Sequence, residues 1–361
     1  MIHILRPIFI LVLAIFTGAG FVQANENTDK ASHSKGFEAG KFVMEHVSDA
    51  FEWHIATIGE THISVPLPII LHSPEKGWNV FMSSRFHHGH EPYNGFRIEN
   101  EGKNEGKIVE LDANGQVKAD LPIDLSITKT VAGIFVSVIV LLLIFLSIAK
   151  SAKKRAGQAP TGLQNLLEPV ILFVRDDVAK PAIGEKRYEK FMPFLLTVFF
   201  FILTNNLLGL IPIFPFGANV TGNIAVTLVL ALFTFFITTF NTNKHYWKEI
   251  YNPDVPWWLK FPVPLMPIVE LTGVITKPFV LMIRLFANMM AGHLIVTVFV
   301  SLIFIFAQLM GVEAGMGVSV ISVLFSVFML LLDVLVSFIQ AYVFTLLSAL
   351  YFGMASPEEH H

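Results

Sequence analysis

The chain contains no cysteine. That excludes disulfides, thiolate metal centres, iron–sulfur clusters and cysteine nucleophiles together, and leaves the redox state of any exported part open. Charge is scarce as well: Asp, Glu, Lys and Arg make up 15% of 361 residues, against about 25% in ordinary globular domains, too little to wet the skin of a soluble protein of this size. Positive charge is not in excess either. The 25 Lys and Arg against 28 Asp and Glu give a net charge of −3, without the basic footprint of a nucleic-acid binder. No Gly-rich phosphate loop is present, so no nucleotide site is expected. What fills the chain is apolar: 53% hydrophobic residues, 34 of them Phe, gathered in runs too long for an ordinary core.

Residues 1–24 read as a secretory signal peptide, with Arg6 near the start, an apolar stretch over 7–16, and small residues ending in Val22-Gln23-Ala24. The apolar stretch is shorter than the about 20 residues of a membrane span, which favours cleavage after Ala24 over an uncleaved anchor. Residues 25–125 follow as the one soluble-looking stretch, expected outside the cytoplasm, with sixteen Asp or Glu, nine Lys or Arg and eight of the 13 His. Short β-type runs at 62–65 and 69–71 lie between turn residues, and 108–111 is set to meet 116–118 across Asn114-Gly115. A small β-rich domain is expected. His87, His88 and His90 are candidate metal ligands, but a solvated polar loop accounts for them equally well, since no Cys or second His pair completes a site.

Long apolar runs begin near residue 128 and can be measured against the ~30 Å hydrocarbon core that about 20 helical residues cross. Residues 128–149 make a first span. Lys150, Lys153, Lys154, Arg155, Arg175, Lys180, Lys186, Arg187 and Lys190 follow it, so the positive-inside bias sets this connection in the cytoplasm. Within it Leu163, Leu166, Leu167, Val170, Ile171 and Val174 recur at helical spacing and predict an amphipathic helix on the inner membrane surface. A second span, 191–210, leaves through Ile211-Pro212-Ile213-Phe214-Pro215, a loop without Lys or Arg and therefore outside. A third, 220–240, returns to Lys244, His245, Lys248 and Lys260, with Trp247, Trp257 and Trp258 where an interfacial aromatic belt belongs. From Pro262 to Leu309 apolar residues continue with few breaks, a length that one helix would carry over roughly 70 Å. Two spans broken near Ala291-Gly292 and one steeply tilted helix both fit. The last run, 318–352, is also overlong, and a Gly-rich connection over 311–317 is expected to join the two.

Polar residues are trapped inside these last runs: Glu270, Lys277, Arg284, Asn288, His293, Asp333 and Gln340. Arg at mid-bilayer costs about 3 kcal/mol on insertion scales and about 10 or more in simulations. Arg284 therefore marks an ion path, unless it lies within a turn or two of a helix end and snorkels to the interface. Glu270, Lys277 and Arg284 are spaced by sevens and drift only about 20° per step, forming one stripe. Asn288 lies a turn beyond Arg284 on nearly the same side, whereas His293, nine residues on, points about 180° away. Asp333 and Gln340, seven apart, share a face that an antiparallel hairpin can turn toward the preceding helix. A His293–Asp333 pair in lipid reads as a proton relay fed by a narrow water file; a structural pair hydrogen-bonded across the hairpin is the alternative.

The segment Arg284-Leu285-Phe286-Ala287-Asn288-Met289-Met290-Ala291-Gly292-His293 resembles the signature of subunit a of the F-type ATP synthase. Further matches follow in order: Asn205-Asn206-Leu207-Leu208-Gly209-Leu210-Ile211-Pro212, Glu270 through Lys277-Pro278, Phe338-Ile339-Gln340-Ala341-Tyr342-Val343-Phe344, and Tyr351-Phe352-Gly353-Met354-Ala355-Ser356. The resemblance covers about residue 126 to the end. It implies an all-α membrane protein of five membrane-crossing helices plus the surface helix, the last two long, tilted and clasping a rotating c ring, behind a small β-rich exported domain. Joined to the reading of the N-terminal part, this divides the chain into signal peptide 1–24, extension 25–125 and membrane domain 126–361. The implied location is a bacterial cell inner membrane, with the C-terminus cytoplasmic. Implied partners are the c-ring subunits, the peripheral-stalk b subunits, other ATP synthase subunits and membrane lipid, with no cofactor, no metal and no nucleic acid. By carry-over Arg284 is the essential stator arginine, Asn288 and Gln340 line the path at its level, Glu270 belongs to the proton path, and His293 with Asp333 belong to the outer half-channel. In some relatives the acid and the histidine of that pair exchange positions, which keeps one acid and one imidazole. Two departures stand out: Gly209 replaces an acidic residue found in some relatives, and the N-terminal extension is longer than usual. Capping the outer channel mouth, binding another stator subunit and sheltering local pH are three roles open to that extension. Protons are the default coupling ion. A rotor-independent ion or solute transporter is the competing reading, and it calls for inverted repeats and helices broken at the midplane, which the sequence does not display. A receptor-like role for the exported part leaves Arg284 without a purpose.

Overall fold

The computed structural model describes residues 48–58, 61–89, 91–99, 104–112, 115–118, 120–155, 158–211, 213–242, 244–251 and 265–355. The expected signal peptide, His90, Asn114, Trp257, Trp258 and Lys260 lie outside the described residues.

The extension folds as short antiparallel strands. β1 (Glu52–Ile58) pairs with β2 (Thr61–Pro66), with an irregularity between His54 and Ala56. β3 (Pro68–Ser73) pairs with β4 (Gly77–Met82), β5 (Phe96–Ile98) with β6 (Ile108–Glu110), and β7 (Ile123–Asp124) adds to the other edge of β3 to give the order β4-β3-β7. The alternation along β3 drives this arrangement: Ile69 and Leu71 point inward and meet Phe86, Phe96 and Ile108 in a closed apolar core. The runs expected at 62–65 and 69–71 therefore lie inside β2 and β3. The expected pairing of 108–111 with 116–118 is present in its inner part, where Leu111 bridges Val117, Asp112 N–H donates to Gln116 O and Lys118 N–H to Glu110 O, both at 2.9 Å, while residues 108–110 pair with β5 along their other edge.

One carboxylate is built into this domain. Glu110 is 3% exposed and accepts from Ser73 Oγ at 2.5 Å and from Lys118 Nζ at 2.9 Å, with Lys76 Nζ 3.6 Å away. Burial alone would push its carboxyl up; the hydrogen bonds from Ser73 and Lys118, with the charges of Lys118 and Lys76, outweigh that and hold it below the ordinary 4.5. A depressed folded-state value means stability that is present above the unfolded value and is lost as pH falls through the folded one. Acidification below pH 4.5 is thus expected to loosen the domain. Glu110→Gln should flatten that acid response, which limited proteolysis of the intact chain across a pH series will read.

The chain passes directly from sheet to membrane helix. Leu125 N–H donates to Ile70 O and Ile127 N–H to Pro68 O, carrying the β7 pairing up to the cap of α1 (Lys129–Lys154). Thr128 Oγ1 accepts from Val131 N–H at 3.4 Å, and Asp49 Oδ1 accepts from Thr130 N–H at 3.0 Å. α2 (Leu163–Phe173) continues through a π-helical stretch, Val174–Ala179, into the short α3 (Lys180–Ile183). This is the expected amphipathic helix, with Leu163 and Leu166 exposed and Val174, Val178 and Ile183 buried. α4 (Tyr188–Gly209), α5 (Ile224–Phe240), α6 (Lys244–Tyr251), α7 (Leu265–Met310) and α8 (Val312–Ala355) follow.

Among the described residues four helices, α1, α4, α7 and α8, are long and apolar enough to cross a membrane. α5 has 17 residues, or about 26 Å. Side chains such as Leu142 and Leu143 on α1 and Leu331 and Leu335 on α8 are exposed, a surface that water does not tolerate and lipid requires. Leu195, Phe199, Ile202, Leu281, Leu285 and Phe344 knit α4, α7 and α8 into one core, with Val174 and Val178 packed beneath.

α7 runs unbroken through Ala291-Gly292 for 46 residues, roughly 70 Å, which decides between the two readings of that run in favour of one long helix. The Gly-rich connection is corrected. Gly311 alone turns the chain, with φ +94°, a conformation that glycine reaches without steric cost. Gly315 and Gly317 lie inside α8, where a Cβ on Gly315 would come within 2.6 Å of Ala307 Cβ; its missing side chain lets the two helices touch immediately after the turn.

Candidate functional site

The polar residues of α7 and α8 are distributed by helical geometry. Leu281, Leu285 and Met289 recur every four residues and are buried in the core. The complementary stripe, Val280, Arg284, Ala287, Asn288, Ala291, Ile295 and Val298, is exposed. Arg284 and Asn288 thus sit on the outward face of a membrane helix, and Ala287 and Ala291 beside them leave room for another helix to approach closely. Among the described residues Arg284 makes no ion pair.

His293 points the other way, as the spacing predicts. Its Nε2 is buried and lies 3.7 Å from where a Cβ on Gly209 of α4 would stand. Asp333 on α8 is 8% exposed, and its carboxylate rests on Gly292, where an added Cβ would meet Oδ1 at 2.7 Å and Oδ2 at 3.1 Å. The glycine is the seat of the acid. Gly292→Ala must displace the carboxylate at an overpacking cost of about 1–3 kcal/mol, so proton uptake is expected to fall while assembly persists; uptake normalised to assembled complex reads this.

The structure brings His293 and Asp333 to adjacent positions along the hairpin but does not bond them to each other: neither His293 Nε2 nor Asp333 Oδ2 has a hydrogen-bond partner among the described residues. The alternative of a structural pair hydrogen-bonded across the hairpin is therefore not what forms. Gln340 is buried at 7% exposure on the same helix.

Sequence reasoning missed several further buried polar groups. Thr221 Oγ1 donates to Asn206 Oδ1 at 2.5 Å, leaving Asn206 Nδ2 unpaired, and Asn219 Oδ1 accepts from Gly222 N–H at 3.0 Å, leaving Asn219 Nδ2 unpaired. Ser326 Oγ on α8 is likewise buried and unpaired. Five of the six buried side-chain atoms without partners among the described residues thus belong to Asn206, Asn219, His293, Ser326 and Asp333. Ser326 carried a legible signal, since it stands seven residues before Asp333 and fourteen before Gln340 on one stripe. Asn219 carried none, because an Asn in a loop is ordinary.

At the opposite end, Lys277 Nζ lies 5.7 Å from the Tyr351 ring centre. A shallow groove runs there past Thr238, Thr242, Tyr246, Trp247, Lys277 and Tyr351. Glu270 is exposed nearby, and burial, followed by its charge, pushes the Tyr246 phenol up. In the extension His88 Nδ1 lies 2.8 Å from Glu52 Oε2 and His87 Nε2 3.7 Å from Glu91 Oε2. Among the described residues no cluster of three metal-ligating side chains forms.

With that geometry in view, comparison with known proteins is decisive. Residues 131–353 match the family described as ATP synthase A chain. The chain belongs to this family. It is 43% identical over 246 residues to ATP synthase subunit a of Chloroherpeton thalassium, covering 66% of this chain and 69% of that protein. It is 48% identical over 238 residues to ATP synthase subunit a 2 of Chlorobaculum tepidum, covering 64% of each. The subunit a of Myxococcus xanthus is 41% identical over 245 residues, 66% of this chain and 76% of that one. Residues 42–127 match a separate domain of unknown function. This subunit a is a bacterial membrane protein by family and by its apolar helices.

Proposed function

We propose that the chain passes protons through two offset half-channels that Arg284 keeps apart, the exchange between them running through carboxylates on a ring of c subunits that moves past the exposed stripe of α7. As a subunit a of ATP synthase it is the proton-translocating stator part of the Fo sector. It transfers protons and leaves nucleotide chemistry to other subunits. The observation that carries the reading is the set of unpaired buried atoms on Asn206, Asn219, His293, Ser326 and Asp333. Buried polar groups need partners, and water supplies them where a site is polar and roomy enough. A water file along these five residues makes an outer half-channel, with His293 and Asp333 as stations at which a proton can pause. The inner half-channel opens through the groove beside Glu270 and Lys277, while Asn288 and Gln340 flank the level of Arg284.

Arg284 separates the two by electrostatics. Its guanidinium stays protonated, and an adjacent cation lowers a carboxylate by about 1–3 pKa units, so each passing carboxyl sheds its proton before it crosses. Each charge crossing yields about 2.3 kcal/mol per 100 mV, so several must pass for each ATP made elsewhere in the complex.

In the same reading residues 1–24 direct export and are removed, and 25–125 stands on the periplasmic side of the inner membrane. α1, α4, α5, α7 and α8 make five crossings, α5 being the short one, and the C-terminus is cytoplasmic. The peripheral-stalk b subunits hold the chain against the turning ring.

The absence of native cysteine makes the outer half-channel directly testable. Single cysteines at Asn206, Asn219 and Ser326 in the assembled complex are expected to react with aqueous silver ion, whereas cysteines at lipid-facing Leu143 and Leu331 do not. Equal reactivity at both sets of positions would remove the water path.

A further inference from the structure

We propose that the domain of unknown function is a clamp on the outer mouth of the half-channel, with Trp53 as the positioning residue that holds the α4–α5 loop in place. The inference rests on the half-channel reading above and gives the extension a job within it.

The loop to be held is the one carrying Asn219 and Thr221. It folds back on α4, Gly217 N–H donating to Leu208 O at 3.0 Å. Ala218 is wedged between two helices at glycines: a Cβ on Gly133 of α1 would come within 2.7 Å of Ala218 Cβ, and one on Gly209 of α4 within 3.1 Å of Ala218 O. Gly209 in turn lies against His293 Nε2. Ala218 therefore rests on the same glycine that lies against His293, so a shift of the loop bears on the space beside that imidazole.

Among the described residues the extension meets this loop through Trp53 of β1. The indole is 4% exposed, meets the Phe214 ring edge-on at 5.5 Å, and clusters with Ala218 and Val220, bordered by Ala132, Ile134 and Val226 of the membrane domain. It does not belong to the extension's own core of Ile69, Leu71, Phe86, Phe96 and Ile108. The domain has placed its one buried indole against another domain's loop. The strand bearing it is tied down on both sides. Trp53 pairs with Val65 across the β1–β2 ladder, and the chain just before it is bound to the start of α1, Lys129 N–H donating to Ala50 O at 2.8 Å and Thr130 N–H to Asp49 Oδ1 at 3.0 Å. Strand, helix cap and loop are thus joined at a single apolar contact above the channel entry.

The test uses the assembled complex in vesicles whose outer face is accessible. A single cysteine replaces Val220, which is 2% exposed beneath the indole, and its reaction with a membrane-impermeant maleimide is followed on this chain. Labelling is expected to be slow with Trp53, faster by about tenfold with Trp53→Ala as the loop opens locally, and slow again with Trp53→Phe, which keeps a ring on Phe214. Proton pumping measured without the label should fall several-fold in Trp53→Ala and recover in Trp53→Phe. Labelling unchanged by Trp53→Ala overturns the clamp. So does faster labelling with pumping intact, because the held loop would then have no bearing on proton entry. Silver-ion reactivity at Asn206→Cys and Ser326→Cys, read separately, tells a failed clamp from a failed half-channel.

Discussion

Arg284→Ala is expected to abolish ATP-driven acidification of inverted membrane vesicles at matched levels of assembled complex. The side chain lies on the exposed stripe of α7 and makes no ion pair among the described residues, so its removal leaves the core stripe of Leu281, Leu285 and Met289 untouched and the fold intact. What is lost is a fixed positive charge in lipid. Without it a passing carboxylate regains the about 1–3 pKa units that the guanidinium had taken away, which slows its deprotonation by up to about a thousandfold. Arg284→Lys should recover little, because a compact, strongly hydrated ammonium does not stay charged in a dry site as a guanidinium does. Normal pumping in Arg284→Ala would falsify the stator role and return the chain to the rotor-independent transporter reading.

Asp333→Asn is expected to produce the next largest loss, about a hundredfold in proton uptake, the scale set by removing a positioned acid–base group. The substitution is nearly isosteric, so the fit on Gly292 is kept and assembly should be unchanged. An amide can hold a water but cannot take up and release the proton. Exchanging the two groups, His293→Asp with Asp333→His, restores one acid and one imidazole. It should recover more activity than either single change if the two act as one unit, a result that a double-mutant cycle on pumping rates will read. Simple additivity of the three variants would mean two independent groups and no shared relay.

The candidate site was half legible. Arg284, Asn288, His293 and Asp333 announce themselves because an ionisable or amide side chain in a long apolar run is costly enough to demand a use. Helical angles placed Arg284 and His293 on opposite sides of one helix, and the structure puts one outward and the other against α4. The other buried polar groups were not legible in the same way. Asn219 and Thr221 sit in a loop, where polar residues are common, and only the folding back of that loop on Leu208 and Gly209 buries them. Whether His293 and Asp333 bond directly was open for a related reason: helical spacing fixes the direction in which a side chain leaves its helix but not where it comes to rest on the next, and the Asp333 carboxylate rests on Gly292.

Composition and periodicity by themselves determined that this protein lives in lipid, where its apolar helices begin and end to within about six residues, and that α7 carries a charged stripe. These properties follow from local rules, apolar transfer along a run and 3.6 residues per turn. The tertiary structure alone decided that Gly311 is the whole turn of the hairpin and that α7 does not break at Gly292. It alone buried the side chains of Asn206, Asn219, His293, Ser326 and Asp333 without partners among the described residues and set Trp53 of the extension against a membrane loop. Each of those depends on contacts between segments far apart in the chain, where close packing selects one arrangement among many that the same local pattern permits.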